Sequence, residues 1–258
     1  MAGSALVSAK PSVQSSFLDA LNTAWPFTVG TEPILYARFY VYLNTLADAY
    51  LMQILDLLEA KGLSEKTLIV RVADHGERGL SHGGLRQKDY TAYEEMIHIA
   101  MIFSNPVLFP NPFETNALAG LIDVLPTLIA AAGINPRSPL QLQGRSLAPL
   151  FHHPGGSVQE RILFTYDDQL FTNQVQGAAH IRCVREHTWK FAMYFDPTGQ
   201  YPTEYEMYDL KNDPFETTNL ACGATAPPYE DKRARLQSEL TAMMTATGTL
   251  PNQYGPPT

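Results

Sequence analysis

Thr67-Leu68-Ile69-Val70-Arg71-Val72-Ala73, running straight into Asp74-His75-Gly76-Glu77, is the stretch whose reading decides the fold. A short apolar, β-branched run of this kind predicts a buried parallel strand. Before it, Leu43, Leu46, Tyr50, Ile54, Leu57 and Leu58 recur at three- and four-residue steps between Ile34 and Ala60. That period predicts a helix with one apolar face, stopped at Gly62. Helix, tight turn and strand together make an α/β unit. In open α/β sheets ligands bind just beyond the C-terminal ends of the strands, which is where Asp74 and His75 stand. An adjacent carboxylate and imidazole can ligate a divalent cation, and Gly76 lets the backbone turn away. The same residues also read as a turn cap followed by an ordinary polar side chain.

His82 and Lys88 follow in a glycine-containing loop. A lysine can neutralise a sulfate or phosphate oxygen, and a histidine can exchange a proton near neutral pH. A solvated basic patch of Arg86 and Lys88 is the plainer reading. Further on, His98 to Phe103 reads as a second strand, Thr115 to Gly133 as a helix containing a proline, and residues 1 to about 30 as an irregular lead-in. After about residue 155 short strand-like runs follow one another: Leu163–Tyr166, Ala179–Arg185, Trp189–Phe195 and Glu206–Leu210. Turn residues separate them, predicting a small antiparallel sheet, with Arg233–Met244 as a closing helix and a loose tail. The division expected is therefore 1–155 for the α/β part and 156–258 for the sheet subdomain.

Composition narrows the function classes. The chain has 258 residues, 45% hydrophobic and 17% charged, with a formal net charge of −8. A packed core is expected, and a general nucleic-acid binder, which needs a basic stripe, is not. Cys183 and Cys222 show no CxxC spacing, so ordinary thiols are expected. His152-His153 reads as a solvent loop, Asp167-Asp168 as a turn, and Trp189, Phe191, Tyr194 and Phe195 as sheet packing. The first residues lack a signal-peptide pattern, and Leu118–Ile134 is too short to span a bilayer. The expectation is a soluble, cytoplasmic protein without membrane partners.

Asp74-His75-Gly76-Glu77, then His82 eight residues after Asp74, then Lys88 and Tyr93-Glu94-Glu95, resembles the second metal motif of the sulfatases. It is also similar to the phosphonate monoester hydrolases of the same alkaline phosphatase superfamily. Leu55–Thr67 resembles the family's preceding helix, and Ile122-Asp123-Val124-Leu125-Pro126-Thr127 its D-hydrophobic-x-P-T helix. Gln143-Gly144-Arg145-Ser146-Leu147 resembles its G-R-S-L turn. Met207-Tyr208-Asp209-Leu210-Lys211-Asn212-Asp213-Pro214-Phe215-Glu216, with Asn219-Leu220, resembles its C-terminal signature. Five such matches in the family's order cover roughly residues 35 to 222.

The resemblance implies the C-terminal half of an alkaline-phosphatase-like α/β sandwich, followed by a small antiparallel sheet with a C-terminal helix. It implies Asp74 and His75 as ligands of a divalent cation, Ca²⁺ first, with Mn²⁺ or Zn²⁺ as alternatives. Lys88 would contact the sulfate or phosphoryl group, and His82 would line the pocket near the leaving group. Lys88 stands five residues before Tyr93 where the family interval is usually four, so Arg86 competes for its role. The implied substrate is a small sulfate ester, or a phosphate or phosphonate ester. The family's formylglycine motif, C-x-P-x-R or S-x-P-x-R, does not occur in the sequence. That leaves a rival reading, a non-catalytic remnant or binding module, and predicts self-association or a requirement for an N-terminal half.

Overall fold

A computed structural model describes residues 10–27, 33–135, 140–167, 174–221 and 229–251. Its best-packed region is a four-stranded antiparallel sheet in sequential order, β3 (Arg161–Tyr166), β4 (His180–Glu186), β5 (Trp189–Phe195) and β6 (Glu204–Asp209). Side chains alternate between its faces, as the two-residue strand period requires. Ile181, Cys183, Ala192, Tyr194 and Tyr208 point one way, and Val184, Phe191 and Met207 the other. The second face is covered by helix α4 (Glu230–Thr247) through Leu236, Leu240 and Met244. The first is covered by helix α1 (Ser12–Ala24), through Val13, Phe17 and Leu21, and by loop residues Leu85, Tyr90 and Tyr93.

Helix α1 corrects the expected irregular lead-in. Val13, Phe17, Ala20 and Leu21 follow the i, i+4, i+7, i+8 pattern of one buried helical face. Cys183 is an ordinary buried thiol whose pKa burial pushes up to about 12. Cys222 and Asp168 lie outside the described residues. Asp167 binds Arg182 and His180, and His152 and His153 are exposed in a turn.

The other part is thinner. Helix α2 (Pro33–Ala60) begins on a proline, which suits a first turn, and stops at Gly62 with φ +63. There Leu63 N–H donates to Leu58 O, closing a Schellman-type end. No residue of α2 is buried. Two side-chain bonds tether it to the 71–77 segment: Tyr36 Oη to Glu77 (2.9 Å) and Arg71 to Asp48 (2.8 Å).

Strand β1 (Ile69–Val72) pairs with β2 (Met101–Ser104) and runs antiparallel to it. This corrects the buried parallel strand expected for Thr67–Ala73: Ile69 and Val70 are half-buried, while Arg71 and Val72 are exposed. The chain returns directly from the loop to its neighbour, and among the described residues β1 has no second strand beside it.

The helix expected over Thr115–Gly133 is also shorter, spanning a 3₁₀ turn (Leu121–Asp123) and α3 (Val124–Ala131). Fully buried Asp123 accepts from Gly120 N–H, Arg145 N–H and Gln159 Nε2, at 2.7 to 2.8 Å, and so fixes the start. Thr127 Oγ1 donates to Asp123 O and accepts from Leu147 N–H. Gly144 leaves room for Ile122 O, which a Cβ would meet at 2.0 Å. The D-x-x-P-T and G-R-S-L segments are thus two sides of one structural lock. Gly133, with φ +63, ends α3 as expected.

Carboxylates set the acid limit of this fold. Burial raises Asp167 and Glu94, but Arg182 and His180 for the first, and Arg185 and Lys190 for the second, bring them below the usual range. Hydrogen bonds from Arg235 lower Glu186. A carboxylate depressed in the folded state stabilises it above the unfolded pKa, and that contribution drains as pH falls through the folded value. Glu216, raised by burial, works in the opposite direction. The urea midpoint should therefore stay nearly level from pH 7 to about 5 and fall steeply below about pH 4. A midpoint unchanged at pH 3 would show that these pairs contribute nothing.

Candidate active site

The segment between β1 and β2 is built from the inside by its own charged residues. Glu77 Oε1 accepts from Gly79 N–H, Gln87 N–H and Tyr36 Oη, at 2.9 to 3.1 Å. Burial and Glu77 push the Tyr36 phenol up to about 12, so it stays a donor. Arg78 is buried, donating to Asp89 O, Thr91 Oγ1 and Arg86 O, with its guanidinium over Phe17. Arg86 is buried too. It donates to Leu21 O and Trp25 O at the C-terminal end of α1, and to Asn22 Oδ1. This removes Arg86 as a competitor for an anion: it is spent as a helix cap.

The loop is conformationally strained. Leu80, His82, Gln87 and Tyr90 have φ between +50° and +76°, and they are four of the five positive-φ non-glycine residues among those described. Such angles cost of order 1–3 kcal/mol each and persist where the surroundings impose them, often at functional sites.

Asp74 and His75 are brought together. His75 Nδ1 lies 2.8 Å from Gly76 O, so it carries the proton and leaves a lone pair on Nε2. That Nε2 sits 3.4 Å from Asp74 Oδ2, and the Asp74 side chain is 83% exposed. The donor types suit a divalent ion, and the Nδ1–H to carbonyl bond is the support expected behind a ligating imidazole. No group of three potential ligands forms among the described residues, so the pair is at most part of a coordination shell.

His82 lies elsewhere in the loop, its ring stacked on Tyr93 at 3.6 Å and 8°. Its Nε2 is 3.2 Å from Glu95 Oε1 and 3.3 Å from Oε2. Tyr93 is itself fixed, its single hydroxyl proton shared between Gln14 Oε1 at 2.7 Å and Glu206 Oε1 at 3.1 Å. Buried Glu206 also receives Tyr194, Tyr208 and Gln14. Burial and Glu206 hold the three phenols well above their ordinary pKa.

The two halves of the loop meet at Gly76. Its N–H donates to Met96 O at 2.7 Å, and a Cβ there would lie 1.9 Å from Glu95 O. Glu95 therefore presses its backbone against the glycine that follows Asp74 and His75 while its carboxylate holds His82. Lys88 is half-buried and makes no hydrogen bond or ion pair among the described residues. Its cation is the one in this loop not consumed by the scaffold. A cleft of about 320 Å³ opens beside His82, lined by Lys10, Leu18, Tyr93, Glu95 and Phe215 among others.

Glu94 faces the other way, into the sheet subdomain. It pairs with Arg185 and Lys190, and its N–H donates to Glu216 Oε2. Sequence reasoning missed Glu77, Arg78, Glu95 and Glu206, whose parts depend on contacts far along the chain.

These features describe an α/β fold in which one strained loop carries the adjacent Asp74 and His75 and a half-buried Lys88, while the cleft beside His82 is lined by none of these three. Among solved structures the fold is similar to the phosphonate monoester hydrolase of Agrobacterium radiobacter, at 22% identity and a TM-score of 0.62, over 77% of this chain and 39% of that one. A protein solved with its substrate D-glucosamine-2-N,6-O-disulfate gives 0.64 at 22% identity, over 81% and 40%. Arylsulfatase K of Rattus norvegicus is 29% identical over 186 residues, 71% of this chain and 31% of its own. The family model described as N-sulphoglucosamine sulphohydrolase, C-terminal, matches residues 83–246, and the Sulfatase model matches 22–134. The chain belongs to the sulfatase family. It spans about a third of the length of the curated relatives it matches. Among the described residues no helix is long and apolar enough to cross a membrane.

Proposed function

We propose that this chain supplies one half of a hydrolase site for sulfate esters. Asp74 and His75 are its ligands for a divalent cation, Lys88 faces the non-bridging oxygens, and His82 faces the leaving group. The observation that carries this reading is the pair of acceptors 3.4 Å apart at Asp74 and His75. They stand on a glycine packed against the turn that holds His82. A bound cation would polarise the ester oxygens. Lys88 supplies positive charge where negative charge develops as the S–O bond breaks. His82 exchanges a proton with the departing oxygen. The nucleophile must come from a segment carrying the family's formylglycine motif, which this sequence lacks.

Two measurements test this. With Ca²⁺ or Mn²⁺ added, the purified chain alone should not hydrolyse aryl sulfates or aryl phosphonates above background. Titration calorimetry should find a divalent cation held more weakly than micromolar, because two ligands leave most positions open. That binding should vanish in Asp74→Ala. Binding that survives Asp74→Ala would move the metal elsewhere and sink the assignment. Metal-dependent turnover lost in Asp74→Ala would show that the chain already holds a complete site.

A further inference from the structure

We infer that Glu95 is a positioning residue for His82, fixing its tautomer so that Nδ1 is the nitrogen presented to the cleft. The inference rests on the reading of His82 as the leaving-group residue and adds how that residue is held. Three constraints act on this imidazole. Its backbone is left-handed, with φ 50 and ψ 48, which sets the direction of the side chain. The Tyr93 ring covers one face at 3.6 Å, and that ring is clamped by Glu206 and Gln14. The Glu95 carboxylate then takes Nε2.

A carboxylate only accepts, so Nε2 carries a proton and Nδ1 is left to act. Nδ1 has no partner among the described residues, and His82 and Glu95 both line the cleft of about 320 Å³. Burial raises Glu95, but the hydrogen bond and charge of His82, together with hydrogen bonds from its own backbone and from Ser81, outweigh burial and hold the carboxylate below its usual range. A negative acceptor holds the Nε2–H bond more firmly than a neutral one would. The Glu95 backbone against Gly76 leaves the carboxylate little freedom to follow His82 elsewhere.

The proton step then balances. As the nucleophile supplied by the formylglycine-bearing segment forms its bond to sulfur and the ester S–O bond breaks, the doubly protonated imidazole keeps Nε2–H on Glu95 and gives its Nδ1 proton to the departing oxygen, which takes the electron pair of the broken bond. The ring is left as the neutral Nε2–H tautomer, with no movement of the Glu95 contact.

The test is magic-angle-spinning NMR of the full chain labelled with ¹⁵N in its histidine rings, a method that self-association does not blur. His82→Asn assigns the resonances. At a pH where the ring is neutral, His82 should be Nε2–H with at least ~10-fold preference, the weight of one hydrogen bond to a charged acceptor. In Glu95→Ala it should become a mixture of both tautomers. An Nδ1–H tautomer in the wild-type chain would overturn the proposal, whether or not the variant folds. So would a tautomer unchanged in a folded Glu95→Ala chain. Adding 4-nitrophenol as a leaving-group probe reads the other claim separately. If the tautomer is as stated but Nδ1 does not respond, Glu95 still positions His82 and the leaving-group reading is the part that fails.

Discussion

Replacing Glu216 with alanine should cost about 3–5 kcal/mol of stability, the range for leaving a buried charge without its partner. Lys190 is 1% exposed and lies between the carboxylates of Glu216 and Glu94. Burial lowers its pKa, but the two carboxylates more than compensate and keep it charged. Glu216 is completely buried and also accepts the Glu94 N–H at 2.6 Å. Without it, Lys190 keeps one partner in a dry site, and the turn from Glu94 to Ile97 loses its backbone tie at Glu94 N–H. That turn carries Glu95 and supports Gly76, so the damage should spread to both parts of the candidate site. The readout is the denaturant midpoint, together with the His82 ring resonances. A double change to Glu216→Leu and Lys190→Met removes both charges and should be milder than Glu216→Ala alone. A loss below about 1 kcal/mol in Glu216→Ala would mean water reaches Lys190 and the cluster is not dry.

This cluster explains why the C-terminal signature was legible as sequence and opaque as chemistry. Asp209 accepts from the 211–212 turn, Asp213 from Thr217 and Thr218, and Asn219 from Met207 N–H. Each is a local or cross-strand tie, and the same stretch reaches the candidate site through Phe215 and Thr217, which line the cleft beside His82. The strands β3 to β6 and helix α4 could be read in advance because alternation and turn residues are local signals. Helix α1 was missed because Gln14, Ser15 and Ser16 interrupt its apolar pattern. Gln14 is buried only because Glu206 and Tyr93, far along the chain, need it. The direction of β1 was misread for a different reason: a β-branched run does not encode which way its neighbour runs.

For the site, residue type and spacing offered Asp74, His75, His82 and Lys88 only as candidates, and the family resemblance gave them the roles proposed above. Type and spacing were not enough to sort the remaining charges. Arg86 looked like Lys88's rival, yet it caps α1 through carbonyls more than 60 residues away. Glu95 looked like part of a Y-E-E motif, and its carboxylate-to-imidazole bond depends on a left-handed residue no pattern announces. Charged loop residues split here into those bonded within the loop frame and Lys88, which makes no hydrogen bond or ion pair among the described residues, and only tertiary contacts make that division.

The second large effect expected is association. At micromolar concentration the chain should sediment and scatter light as a dimer or larger species rather than at 28.6 kDa. Phe39, Leu43, Tyr50, Ile54 and Leu57 recur along one stripe of α2, each between 45% and 63% exposed. Val72 on β1 and Ile102 on β2 are exposed as well. Apolar exposure repeated along one face in this way marks an interaction surface when it is contiguous. Among the described residues the two-stranded sheet has unpaired strand edges, which also favour joining. Burying apolar area is worth about 25 cal/mol per Å², so pairing two such stripes can offset the entropy of association. Charges placed in the stripe, Tyr50→Lys with Ile54→Glu, should weaken association at least ~10-fold, since each would have to be desolvated in the contact. The same changes should leave the folded core intact, because neither residue is buried. A monodisperse 28.6 kDa species in the unaltered chain would mean that this face is covered in solution by part of the chain itself. Association that survives both charges would move the contact off α2 and onto the open edges of β1 and β2.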